Sequence, residues 1–175
     1  MDIRFDYIRE YAAILRTSPL QRDYREFVKF FRRLRVYLEK ELPQFRFTGG
    51  ITENGMDYAY FQFTDAVWKR EGLKFVVAFV HGSFSLEVWL SGMNRETQAR
   101  LHRQLQKSGS PYELSPDPNR FDYIVKEVVL TEGDFSGGDE LFGRIRERVL
   151  RFADGAKRLT QAQGAADSPA AAPND

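Results

Sequence analysis

The sequence contains no cysteine, which excludes a disulfide framework, a thiol nucleophile and thiolate metal sites. Histidine is almost as scarce: His81 and His102 are the only imidazoles in 175 residues, too few for a histidine-rich zinc site. No apolar run approaches the roughly 20 residues needed to span a bilayer, and Met1-Asp2-Ile3-Arg4 does not open a signal peptide. An excess of one charge is missing too, since 26 basic residues face 25 acidic ones for a net of +1, unlike a strongly basic nucleic-acid binder. There is no Walker-type phosphate loop and no G-x-S-x-G elbow, and Gly49-Gly50 and Gly137-Gly138 are isolated pairs. Apolar and aromatic residues are plentiful, at 42% and 14%, so a substantial core can form and disorder of the whole chain is excluded. The expectation is a globular, cytoplasmic protein.

The periodicity changes along the chain. Phe5, Ile8, Ala12 and Leu15 share a helical face, and Thr17-Ser18-Pro19 interrupts it. Ser18 then caps a second helix with Pro19 at its first position. Leu20, Tyr24, Phe27, Phe31, Leu34 and Leu38 form its stripe, and Pro43 closes it. From Phe45 the period is two, and Asn54-Gly55 offers both positive-φ positions of a type I′ hairpin turn. Met56 to Thr64 returns from that turn, and Asp65 to Gly72 is read as a polar connection. Leu73 to His81 is an interior strand, paired through a Gly82-Ser83 type II′ turn with Phe84 to Ser91. Asn94 caps a polar helix reaching Lys107, and the proline-bearing segment Ser108 to Arg120 is a loop. Phe121 to Leu130 reads as a fifth strand, with a short helix as the competing reading, and a last helix starts at Asp139.

The order ααββββαβα predicts an α+β domain over residues 1–160, and a disordered tail over 161–175. Its sheet is mainly antiparallel, with four to five strands. The two N-terminal helices and the last helix are expected on the face of Phe75, Val77 and Phe79.

Strand alternation places Phe84, Leu86, Val88 and Leu90 on that covered face, with Ser85, Glu87, Trp89 and Ser91 on the other. Glu87 is expected directly opposite Ala78, either solvated on a half-exposed sheet or held in a pocket. The pocket reading gives Trp89, Tyr58 and Tyr60 as apolar walls and Glu87 as a fixed charge. Arg46 or Arg95 would supply the countercharge. Tyr58 and Tyr60 are read on the face of Phe45 and Phe47, and Asp57 on that of Arg46 and Thr48. Which of these continues the Glu87 face stays open.

At the end of the Glu87–Trp89 strand, Asn94 would point the next helix's free N–H groups toward the strand terminus. An acidic group could bind there, with Arg95 adding charge and Trp89 an apolar wall. The competing account has Asn94 only as a cap and Trp89 only as packing.

Two function classes follow. The first is a non-enzymatic binding or interaction module, with no cofactor and no metal, whose partner is a small molecule or a protein. The second is a metal-dependent hydrolase or nuclease using Asp57 and Glu87. Such enzymes usually place a lysine two residues after the second acid, and here that position is Trp89. Basic residues exceed acidic ones on the second and third helices. A solvated helix face accounts for this, so neither nucleic acid nor a membrane is an expected partner.

The segments Gly55-Met56-Asp57-Tyr58-Ala59-Tyr60-Phe61 and Glu87-Val88-Trp89-Leu90-Ser91-Gly92-Met93-Asn94 carry a resemblance. They are similar to a family of small bacterial cytosolic proteins known only as a domain of unknown function. The resemblance covers about the first 155 residues. It implies a compartment and a single-domain architecture, and it transfers no catalytic residue.

Overall fold

The computed structural model describes residues 2–166. The sequence reading takes 1–160 as one domain; the chain divides into two compact units, Met1–Tyr37 and Leu38–Asp175. In the first unit, α1 (Phe5–Thr17) ends at Ser18, whose backbone turns extended while its N–H still donates to the Ile14 carbonyl. The Ser18 hydroxyl accepts from the Leu20 N–H at 3.4 Å, so one residue closes α1 and opens α2 (Leu20–Glu41). No residue of α1 is buried, and Phe5 and Ile8 are exposed. Along α2, Tyr24, Phe27 and Phe31 bring their rings together in succession, the first pair tilted and the second stacked, at centroid distances of 5.9 and 5.7 Å. Helix α2 runs through the boundary between the units.

The second unit is built on a sheet of β1 (Arg46–Asn54), β2 (Tyr58–Thr64), β3 (Leu73–Val80), β4 (Ser85–Gly92), β5 (Glu113–Leu114) and β6 (Val125–Leu130). The spatial order is β1-β2-β3-β4-β6-β5 and every pair is antiparallel. Three helices accompany it: α3 (Ala66–Arg70), α4 (Arg95–Ser108) and α5 (Asp139–Ala166). The fold is therefore α+β on an antiparallel sheet, with six strands among the described residues. The sixth is the two-residue β5, hidden inside the proline-bearing loop because it adds to an edge formed elsewhere in the sequence. Helix α3 replaces the expected connection; Asp65 caps it by accepting from the Trp68 N–H at 2.8 Å.

One face is apolar. Phe75, Val77 and Phe79 of β3 and Leu86, Val88 and Leu90 of β4 are all buried. Phe152 of α5 and Trp68 of α3 both meet the Phe75 ring, at 6.2 and 5.0 Å. The α5 stripe is buried at Phe142, Ile145, Val149, Phe152 and Ala156. From the same helix, Arg148 donates to the Val128 and Val129 carbonyls and to Glu127, occupying the edge of β6 that β5 leaves open. Helix α5 continues to Ala166, past the expected boundary at 160, and the rest of the expected tail, 167–175, lies outside the described residues. Among the described residues, no helix is long and apolar enough to cross a membrane.

Both hairpins differ from expectation in their turns. In the first, Asp57 N–H donates to the Asn54 carbonyl, and the two positive-φ residues are Gly55 and Met56. Asn54 pairs with Tyr58, so the loop holds three residues instead of two. In the second, Val80 pairs with Ser85 across a four-residue loop, and the positive φ falls on Phe84 (47°) instead of on Gly82. Phe84 consequently leaves the strand and is exposed, although alternation alone puts it in the core.

Candidate functional site

The loop length of the first hairpin decides what the second face of the sheet carries. Alternation has a period of two, so one extra loop residue reverses which side chains of β1 and β2 share a face. Tyr58 and Tyr60 therefore stand with Thr52 and Thr48, not with Phe47, which pairs instead with Phe63. The bulge at Gly49-Gly50 inserts two residues into β1 and so preserves this alternation. On β3, Tyr58 lies opposite Val80 and Tyr60 opposite Ala78; Ala78 in turn lies opposite Glu87, as expected. The two tyrosines thus join the Glu87–Trp89 face.

That face is buried too. Val76, Ala78, Trp89 and Tyr123 form a second small core, flanked by Tyr58, Tyr60 and Val80. Its cover is the segment before β6. A hydrogen bond from the Ser115 N–H to the Ile124 carbonyl closes this loop on itself. Arg95 and Gln98 of α4 both donate to the Pro118 and Phe121 carbonyls, while Ser91 of β4 donates to the Asp122 carbonyl. Side chains of α4 and β4 thereby tie down the carbonyls of a loop that makes no strand ladder of its own.

Glu87 is only 4% exposed, so the expectation of a solvated carboxylate on a half-exposed sheet is corrected: it is buried beside Trp89 and Lys126. Trp89 stands two residues on, and its indole N–H donates to one Glu87 oxygen at 2.7 Å. Lys126, opposite Trp89 on β6, donates to the other at 3.0 Å. Burial works against the Lys126 charge, but the hydrogen bond and charge of Glu87, with Tyr123 and Glu113, hold the ammonium above its ordinary range.

A second network begins at Tyr58. Its hydroxyl donates to Asp122 Oδ2 at 2.6 Å, and Arg95 Nη2 donates to Asp122 Oδ1 at 2.7 Å. Burial, followed by the hydrogen bond and charge of Asp122, pushes the Tyr58 phenol up to about 12.

Two cavities open on this face. The smaller, about 300 Å³, lies among Tyr58, Tyr60, Lys74, Trp89 and the start of α4 at Asn94 and Arg95. The larger, about 690 Å³, is lined by Glu87, Lys126, Trp89, Tyr123, Phe121 and Val128. Tyr58, Trp89 and Asp122 line both.

Of the residues singled out from sequence, Glu87 lines the larger cavity, Tyr60, Asn94 and Arg95 line the smaller, and Tyr58 and Trp89 line both. Asn94 does cap α4, accepting from the Thr97 N–H at 2.8 Å. Asp57 lies in the first turn and lines neither cavity; its carbonyl accepts from the His81 N–H, tying the two turns together. The structure therefore does not bring Asp57 and Glu87 to one cavity. No cluster of three or more His, Asp or Glu side chains suited to a metal exists among the described residues.

Lys74, Gln98, Asp122, Tyr123 and Lys126 were not foreseen as site residues. Only Lys126 leaves a sequence trace, as the single cation in the run Ile124 to Leu130. Lys74 has a distinct position. Its amine donates to the Gln62 side-chain carbonyl at 2.8 Å, and among the described residues it forms no ion pair. Burial lowers its pKa, with Asp122 opposing in part.

No curated protein and no solved structure matches the chain. Residues 5–159 match the family described as "Domain of unknown function (DUF7000)", and the chain belongs to that family.

Proposed function

We propose that this member of the family is a non-enzymatic binding module that takes a small organic anion in the cavity beside Lys74. The observation that carries the reading is the lysine itself. A half-buried ammonium has lost part of its hydration, and here a neutral amide is its hydrogen-bond partner. An anion entering the cavity would complete its surroundings, while Tyr58, Tyr60 and Trp89 offer ring faces for the body of the ligand. Arg95 is already committed to Asp122 and to two loop carbonyls, so its part is to hold the cavity wall. The cytoplasmic location expected from the sequence belongs to this reading.

Titration of the full chain with benzoate tests it, followed by thermal unfolding and calorimetry. A ligand that binds the native state raises the apparent unfolding temperature by mass action. Benzoate is expected to do so, and Lys74→Met to weaken its binding by at least about tenfold, the scale of a lost charge-assisted hydrogen bond. Equal binding by wild type and a folded Lys74→Met, or no binding of benzoate and phenyl phosphate by wild type, would overturn the reading.

A further inference from the structure

The two cavities differ in character, and the difference specifies a ligand. The smaller holds Lys74, whose charge has no ion-pair partner among the described residues. In the larger, the charges nearest the sheet neutralise one another: Glu87 is bound by Lys126, and Asp122 by Tyr58 and Arg95. The rest of its lining is mainly apolar, including Tyr123, Phe121, Val80 and Val128. Phe121, one of the lining residues, is 41% exposed. Tyr58, Trp89 and Asp122 line both cavities, so the two are adjacent and a ligand occupying both would have to run along these three side chains.

We infer that the ligand is an amphiphilic carboxylate, its head group at Lys74 and its apolar chain along Trp89 into the larger cavity. This deepens the anion reading and rests on it. A volume of about 690 Å³ lies within the range of small-molecule sites and exceeds what a head group needs. A dianion is a poorer fit, because the larger cavity's one remaining cation, Arg120, is exposed to solvent.

The test is a chain-length series of acetate, butyrate, hexanoate, octanoate and decanoate, measured by calorimetry on the full chain below micelle-forming concentrations. Affinity is expected to rise about fourfold per methylene buried, levelling off when the cavity is filled. Lys74→Met should weaken every member alike. Phe121→Ala and Val128→Thr should weaken octanoate and decanoate and leave butyrate and benzoate unchanged. Arg120→Gln should change none of them.

If benzoate and butyrate bind but affinity is flat with chain length, the amphiphile inference fails and the anion reading stands. If no carboxylate binds but phenyl phosphate does, the inference fails and the anion reading stands; if phenyl phosphate fails too, both fail. Decyltrimethylammonium binding as well as decanoate would show an apolar groove without a carboxylate head site and overturn the inference. A loss of decanoate binding confined to Arg120→Gln would overturn it too, by placing the head group at the wrong end.

Discussion

The two faces of the sheet are made by the same strands, residue by residue in alternation, yet they are buried by different means. On one, Phe75, Val77 and Phe79 meet Leu86, Val88 and Leu90, with Phe152 of α5 and Trp68 of α3 over Phe75. Burial there is driven by apolar area and has no required direction. On the other, Glu87, Ser91 and Lys74 sit among Trp89, Val76 and Ala78, covered by a loop whose carbonyls are held by Arg95 and Gln98. Polar burial must satisfy particular atoms at particular angles, so this cover is fixed at points and leaves space between them. The cavities belong to the face whose burial is directional.

The largest expected effect tests the apolar face. Phe75→Ala should cost about 3–5 kcal/mol in denaturant unfolding, because a ring contacting both α3 and α5 leaves a hole that neither can close. A loss below about 1 kcal/mol would mean that this face is loosely packed and the contrast is false.

On the polar face, Lys126→Met should cost about 2–3 kcal/mol, since it leaves the Glu87 carboxylate buried with only the Trp89 indole as partner. The double variant Lys126→Met/Glu87→Gln keeps an acceptor for Trp89 and removes the stranded charge. It should recover most of the loss. A double variant that adds the two single costs would show that the pair is not coupled.

Gly92→Ala probes the joint between the strand and α4. A Cβ at this position would lie 2.6 Å from the Gln98 backbone nitrogen and 2.7 Å from the Asn94 carbonyl, neither of which can swing away as a side chain does. The expected cost is about 2 kcal/mol, with the start of α4 displaced from the smaller cavity. Unchanged stability would show that this joint is looser than the contacts imply. The segment Glu87 to Asn94 thereby acquires a physical reading. Glu87 and Trp89 bond to each other, Gly92 admits the turn of α4, and Asn94 caps it.

Much of this was legible before the structure. The β3–β4 register, with Glu87 opposite Ala78, follows from two alternating strands whose apolar residues must share a face. The Asn94 cap follows from a polar residue ahead of a helical stretch. The face of Tyr58 and Tyr60 was not legible, because Asn-Gly suits a two-residue loop and the chain uses three. One residue of loop length exchanges the two faces. Lys74 carries no signal of its own in the sequence, because its position beside a cavity depends on the start of α4. Asp122 was not legible, because the sequence reads Phe121 to Leu130 as one strand, whereas β6 begins at Val125 and Asp122 lies in the loop before it, held by Arg95 from 27 residues away.

The smallest effect concerns the wall between the cavities. Tyr58→Phe removes the hydrogen bond to Asp122, which keeps Arg95 as its partner, so the expected cost near neutral pH is about 1 kcal/mol. Its pH dependence is the more discriminating part. The phenol has an ordinary value of 10.0 and is raised to about 12 in the fold. Between those values the unfolded chain has lost the proton and the folded chain still holds it, so stability falls as pH rises. The contribution is complete below 10 and is lost on passing through about 12. Tyr112 and Tyr123 are also raised, chiefly by burial, and tilt both proteins in the same direction. The difference between wild type and Tyr58→Phe isolates Tyr58. The wild-type advantage should hold to pH 10 and then shrink toward pH 12. An advantage that stays constant across that window would mean that Tyr58 titrates as it would in water, leaving the shared wall open to solvent and to a ligand's charge.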